Sequence, residues 1–224
     1  MAARSGKTNT FAVWVSVVAV VVIVAIGGLV WWMNASATAP GEAPQASNIN
    51  AETGAIAFGD GPDTVETYVD FMCPYCGQFE AAEGADIQGL VDDGSITLNV
   101  HPVAILDRAS QGTEFSSRSA SAMYAVAAAD PDNALAFLTA MFENQPQEGS
   151  TGLTDEEIVD IAKNAGVNVT SQLEDDILSN RYKKFASEQT LPEGATGTPT
   201  LVVNGEIVPV TYDFQADIAS RIGQ

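Results

Sequence analysis

Histidine, cysteine and basic residues are scarce in this 224-residue chain. One histidine and two cysteines leave too few soft ligands for a closed structural zinc site, and two cysteines cannot staple a disulfide-dense miniprotein. Nine Lys and Arg against 29 Asp and Glu give a formal charge of -20. That excludes an electrostatic nucleic-acid binder, which needs a basic face for phosphates. The 19 glycines follow no period, which excludes a collagen-like rod. Neither a GxGxxG nor a Walker sequence occurs, so a nucleotide cofactor has no support. All three tryptophans, Trp14, Trp31 and Trp32, fall near the ends of one apolar run, where indoles favour a membrane interface.

That run, Phe11 to Met33, contains no ionisable side chain. As a helix it would reach about 35 Å, enough to cross a hydrocarbon core of about 30 Å. Arg4 and Lys7 precede it and no acid occurs before Glu42. The positive-inside rule therefore predicts residues 1–10 in the cytoplasm, a single-pass transmembrane anchor over 11–33, and everything beyond it on the outer side of the cell membrane. Ala35-Ser36-Ala37 resembles a signal-peptidase site, but a signal h-region is usually only about 7–15 residues long. Residues 34–50 are rich in Ala, Pro, Ser and Asn, lack apolar periodicity, and read as a flexible linker to a domain over 51–224.

Within that domain, Ala55–Phe58 reads as a short edge strand and Thr64–Phe71 as a central strand rich in β-branched and aromatic residues. Pro74–Val91 follows as a helix and Ser95–Val100 as a strand closed by Pro102. Four helices come next: Thr113–Ala129, Pro131–Asn144, and two opened by Thr154-x-x-Glu157 and Ser171-x-x-Glu174, running to about Ala165 and Gln189. Phe115, Met123, Phe137 and Met141 are expected core positions. Thr200–Val203 and Glu206–Val210 form a hairpin across Asn204-Gly205, a pair suited to two positive φ angles, and Tyr212–Ile222 closes the chain as an amphipathic helix.

Both cysteines lie in one tetrapeptide, Cys73-Pro74-Tyr75-Cys76, directly after an apolar strand and opening a helix. Cys73 should then project from a helix N-terminus with its sulfur exposed, where unpaired N–H groups favour the thiolate, the reactive form of sulfur. Pro74 suits the first turn because its missing donor is not needed there. Cys76, one turn on, can attack a mixed disulfide held on Cys73. A purely structural disulfide here would close too small a loop to add much stability. His101 is expected as an ordinary strand-end residue, and no metal site is expected.

The tetrapeptide together with Gly197-Thr198-Pro199-Thr200 ahead of the hairpin resembles the thioredoxin superfamily. The helical block, at about 105–190, and the flanking Asp70-Phe71-Met72 and Gly77-Gln78-Phe79-Glu80 look like the bacterial, membrane-anchored DsbA-like thiol:disulfide oxidoreductases. The resemblance implies an α/β thioredoxin fold with an inserted α-helical subdomain after one transmembrane helix. It implies catalysis by Cys73 and Cys76 with no cofactor beyond their redox-active disulfide. Pro74, Tyr75, Thr198 and a cis Pro199 would form the motif and substrate-binding residues; Tyr75, which must lie beside the reactive sulfur, is read as a substrate-stacking residue, the alternative being simply an exposed ring. The implied function is introduction of disulfides into reduced exported proteins. The implied partner is a membrane, quinone-linked reoxidase of the DsbB or vitamin-K-epoxide-reductase type. A reductase or isomerase using the same site, or a non-catalytic peptide-binding chaperone module, is the alternative. The family commonly carries a buried acid six residues before the first cysteine. Here that position is Thr67, with Glu66 on the opposite strand face.

Overall fold

The computed structural model describes residues 9–38 and 40–223. It divides into two compact units, residues 1–40 and 41–224. The first contains helix α1, Thr10–Thr38. Its stretch Val13–Met33 is long and apolar enough to cross a membrane, and its large apolar side chains are exposed. Arg4 and Lys7, on which the expected orientation rests, lie outside the described residues.

The second unit is built on a five-stranded sheet in the order β1-β3-β2-β4-β5. The strands are β1 (Ile56–Phe58), β2 (Asp63–Val69), β3 (Ile96–Pro102), β4 (Thr200–Val203) and β5 (Glu206–Val208). β2 pairs parallel with β3 and antiparallel with β4, so the strand richest in β-branched residues occupies the centre. β3 runs two residues beyond its expected end, because Pro102 sits where the missing N–H is tolerated, at the strand terminus opposite Val69. Alternation along β2 turns Val65, Thr67 and Val69 to one face and Glu66 and Tyr68 to the other. Asn204 and Gly205 take φ of 51° and 83°, the turn that their side chains permit at least cost.

The helix expected over Pro74–Val91 is interrupted. It comprises α2 (Pro74–Phe79), a π-helical turn (Glu80–Gly84) and α3 (Ala85–Asp92). Phe79, Glu83 and Ile87, spaced at four, share the buried side of this interrupted helix. Between β3 and β4 stand α4 (Phe115–Ala129), α5 (Ala134–Glu143), α6 (Asp155–Asn164), α7 (Ser171–Leu178) and α8 (Lys183–Ser187). Thr154 caps α6 in a reciprocal capping box with Glu157. The cap of α7 is Thr170 rather than Ser171. The helix expected to reach Gln189 breaks after Leu178, where Asn180 adopts φ 54°. Phe115, Met123, Phe137 and Met141 are all buried. The closing helix is short, α9 (Phe214–Asp217), because Tyr212 at φ 61° cannot continue a helix and Asp213 caps the turn that follows.

Residues 41–50 are not a free linker. Ile49 is buried and bridges to Ile56, the Asn48 carbonyl accepts from Ala57 N–H at 2.8 Å, and Asn48 Nδ2 donates to the Ala127 carbonyl at 3.0 Å. Gly41 N–H donates to Glu188 at 2.9 Å, and Glu42 pairs with Arg181 at 2.8 Å. A Cβ at Gly41 would stand 2.2 Å from the Phe185 backbone nitrogen, so only glycine fits there. Small and polar residues hide this packing from a periodicity argument.

Candidate active site

The chain leaves β2 at Val69 and reaches α2 through a buried turn, Asp70 to Met72. Asp70 holds that turn. Its carboxylate accepts from Met72 N–H at 2.8 Å, Leu106 N–H at 2.9 Å and Ser116 Oγ at 2.7 Å. Its own N–H donates to Cys76 Sγ at 3.5 Å. Burial pushes the Asp70 carboxyl up to about 6 against the pull of those donors, and charge on Cys73 adds to the rise.

Cys73 occupies the N-cap position of α2 with extended backbone angles, and Pro74 follows at the first helical turn. Both thiols are free. Cys73 is depressed to about 6, first by the hydrogen bond from the Cys76 thiol, then by Thr198 and by the backbone N–H groups of Cys76 and Tyr75, all against the cost of burial. Cys76 is raised well above the ordinary thiol value, chiefly by burial and then by its bond to Cys73. One sulfur is therefore poised as an anion at neutral pH, and the other keeps its proton.

Thr198–Pro199 is a cis peptide, and in its protonated form Cys73 Sγ donates to the Thr198 carbonyl at 3.3 Å, a bond lost when the thiol ionises. Thr198 Oγ1 is buried without a partner, which leaves it free to donate once Cys73 ionises. Expected site residues Cys73, Pro74, Tyr75, Cys76, Thr198 and Pro199 thus gather at the junction of α2 and β4. One expectation is corrected: the Cys73 sulfur does not stand exposed. The residue is 4% accessible, Cys76 0%, and Tyr75 between them 58%. Thr198, in the loop before β4, lies against the Cys73 sulfur, and the Tyr75 ring rather than the sulfur faces solvent.

No acid stands at the family's position six residues before Cys73. Thr67 is buried, and the acid lining the same small cavity of about 20 Å³ is Glu80, from the π turn, whose Oε1 accepts from Thr139 at 2.7 Å. Burial raises the Glu80 carboxyl. Glu66 is committed elsewhere. It takes His101 Nε2 at 3.0 Å and Tyr68 OH at 3.3 Å, while His101 Nδ1 faces the Thr53 carbonyl and its ring stacks on Tyr68 at 4.0 Å. His101 is thus a bonded residue of the sheet, not a part of the cysteine site.

Gln145, beyond the end of α5, was not legible as part of the site. Its Nε2 donates to the carbonyls of Cys73 at 2.8 Å and Phe71 at 3.1 Å, gripping the turn from the helical block. A Cβ at Gly77 would stand 2.3 Å from Gln145 Oε1, which explains glycine immediately after Cys76. Tyr212, expected in the closing helix, instead precedes α9, and its phenol lies within electrostatic reach of Cys73, Tyr75 and Cys76.

An ionised Cys73, a protonated Cys76 in contact with it and an adjacent carbonyl edge at Thr198 suffice for thiol–disulfide exchange through a mixed disulfide. The comparisons with known proteins agree. Residues 53–218 match the family described as thioredoxin. Over 171 residues the chain is 30% identical to the serine/threonine-protein kinase PknE of Mycobacterium tuberculosis, covering 72% of this chain and 30% of that protein. It therefore spans less than a third of the length of that curated relative. It is similar to the oxidised crystal structure of DsbA from M. tuberculosis at 30% identity and a TM-score of 0.63, over 70% of this chain and 86% of that one. It is also similar to MdbA, a thiol-disulfide oxidoreductase of Actinomyces oris, at 26% identity and a TM-score of 0.61, over 75% and 83%.

Proposed function

The chain belongs to the DsbA-like thiol-disulfide oxidoreductases of the thioredoxin family, and from that premise we propose that it works as an oxidase, placing disulfides into reduced exported proteins through Cys73 and Cys76. The observation that supports this direction is the unequal ionisation of the two thiols. A stabilised Cys73 thiolate favours the reduced enzyme, and an enzyme that prefers to be reduced is a good oxidant.

In this scheme a client thiolate attacks Cys73 Sγ of the enzyme disulfide. The S–S bond breaks, and Cys76 leaves as a thiolate that takes up a proton. A second client thiolate then attacks the client sulfur of the mixed disulfide, forming the client disulfide and expelling Cys73 as its stabilised thiolate. Two electrons pass to the enzyme, and the chemistry needs no cofactor beyond the cysteine pair. Thr198 offers the backbone carbonyl edge for an extended client, Pro199 shapes that edge, and Tyr75 gives a ring on which it can stack. A quinone-linked membrane enzyme of the DsbB or vitamin-K-epoxide-reductase type would remove the electrons. Helix α1 would anchor the catalytic unit on the outer side of the membrane near both.

Oxidised protein is expected to restore activity to reduced, unfolded ribonuclease and to lose this ability with Cys73→Ala. Equilibration with glutathione tests the direction. A reduction potential well below about -200 mV would assign the site to a reductase instead. Client binding that survives Cys73→Ala together with full cellular function would assign it to a chaperone.

A further inference from the structure

Among the described residues, both carboxylate oxygens of Glu83 are buried and lack a hydrogen-bond donor. Glu83 sits in the π turn at 0% exposure, and the groups facing it are acids. Asp217 of α9 lies within hydrogen-bonding reach, and Asp213, the α9 cap, and Asp86 of α3 add their charge. Asp217 is also buried, and it already accepts from Thr211 N–H at 2.6 Å, Thr211 Oγ1 at 2.6 Å and Tyr212 N–H at 3.2 Å. Two carboxylates offer only acceptors, so this contact is satisfied when one of them carries a proton. Burial first, then Asp217, pushes Glu83 up to about 8, so the proton is in place at neutral pH. These acids do not form a cation site, since no metal-holding cluster of three His, Cys, Asp or Glu occurs among the described residues.

The same contact reaches the cysteines. Tyr212 holds φ 61°, a costly angle for a bulky residue, and its N–H is tied to Asp217. Its ring, 39% exposed, lies within electrostatic range of Cys73 and Tyr75. We propose that Glu83 and Asp217 share one proton, and that this carboxyl pair fastens residues 211–217 to the π turn behind the cysteine helix, with Tyr212 held as a positioning residue that covers Cys73. When the proton leaves, two buried carboxylates repel, the segment loosens and the sulfur becomes accessible. The proposal rests on Cys73 being the attacking and attacked sulfur of the exchange reaction.

The test uses the reduced full-length chain in detergent, with iodoacetamide alkylation mapped to Cys73 across pH. Cys73 is ionised from about pH 6, so a freely reached thiolate would give one rise and a plateau. The wild type is expected to show a second rise near pH 8. Glu83→Gln, whose amide donates to Asp217 at every pH, should show only the plateau, and Tyr212→Ala should react faster throughout. Hydrogen-exchange protection of residues 211–217 should fall about tenfold per pH unit above pH 8 in the wild type and stay level in Glu83→Gln. A single plateau in the wild type, a second rise retained by Glu83→Gln, or protection that ignores pH overturns the proposal. Should Glu83→Gln fail to fold, the wild-type profiles decide alone. A Cys73 that shows no low-pH ionisation sinks the exchange mechanism, and the protection profile still decides the carboxyl pair.

Discussion

Replacing Cys76 with alanine removes the largest single stabiliser of the Cys73 anion, the hydrogen bond between the two sulfurs. A thiol at about 6 rather than the ordinary 9.0 is about nine-tenths ionised at pH 7 instead of about one hundredth. Because the native pKa is depressed, the benefit to the reduced form is complete above pH 9 and disappears as pH falls through 6. At pH 7 it amounts to about 1.4 kcal/mol, equivalent to about 30 mV of added oxidising power for a two-electron couple. Thr198 and two backbone N–H groups survive the substitution, so part of the depression should remain. Cys73 in Cys76→Ala is expected to rise by about one pH unit or more, leaving about half or less of it ionised at pH 7. Ultraviolet thiolate absorbance followed against pH measures this directly, and indole fluorescence cannot substitute because the catalytic unit has no tryptophan. A variant that titrates with the wild type, or a wild type that titrates as an ordinary thiol, would refute the electrostatic argument.

Three further outcomes follow from the geometry. Gln145→Ala frees the carbonyls of Phe71 and Cys73 and should cost about 1–2 kcal/mol in denaturant unfolding. Gly77→Ala should displace the same amide, so the double variant should lose markedly less than the sum of the two. For Asp70 the native pKa is raised from 3.8 to about 6, so its proton stabilises the fold below pH 4, and that contribution is lost as pH climbs to 6. Asp70→Asn should abolish this slope while costing about 1–3 kcal/mol for the bonds to Met72, Leu106 and Ser116, read from unfolding midpoints against pH. A soluble chain that begins at Ala51 should melt well below one that begins at Gly41, since it lacks Ile49 and the Asn48 and Gly41 hydrogen bonds; equal melting temperatures would show that this segment does not brace the domain.

Much of the site is local, and local features were readable. The Cys73–Cys76 spacing, the apolar β2 before it, and Asn204-Gly205 each state their geometry within a few residues. Thr198–Pro199 needed the order of elements as well, because nothing in the dipeptide alone says what it faces. What escaped notice depended on long-range packing. Gln145 reaches Cys73 across 72 positions, and an isolated glutamine after a helix carries no pattern. Glu83 reads as a surface charge at any sequence level. Its spacing of four from Phe79 and Ile87 puts it on their face of the helix, but a lone acid on that face carries no sign that it is buried rather than at its edge. The segment 41–50 is compositionally a linker and becomes structure because Gly41 and Asn48 fit particular backbone groups of the helical block.

The recessed position of Cys73 also sorts the molecules that can meet it. At 4% exposure, Cys73 offers little surface to a cysteine lying flush on a rigid partner. In the proposed reaction a client lends a length of pliable chain that brings its thiol past Tyr75 and lies along Thr198. Under the proposed oxidase role, newly exported polypeptides have such slack before they fold and lose it afterwards, so the burial of Cys73 would set a time window in which a given client can be cross-linked.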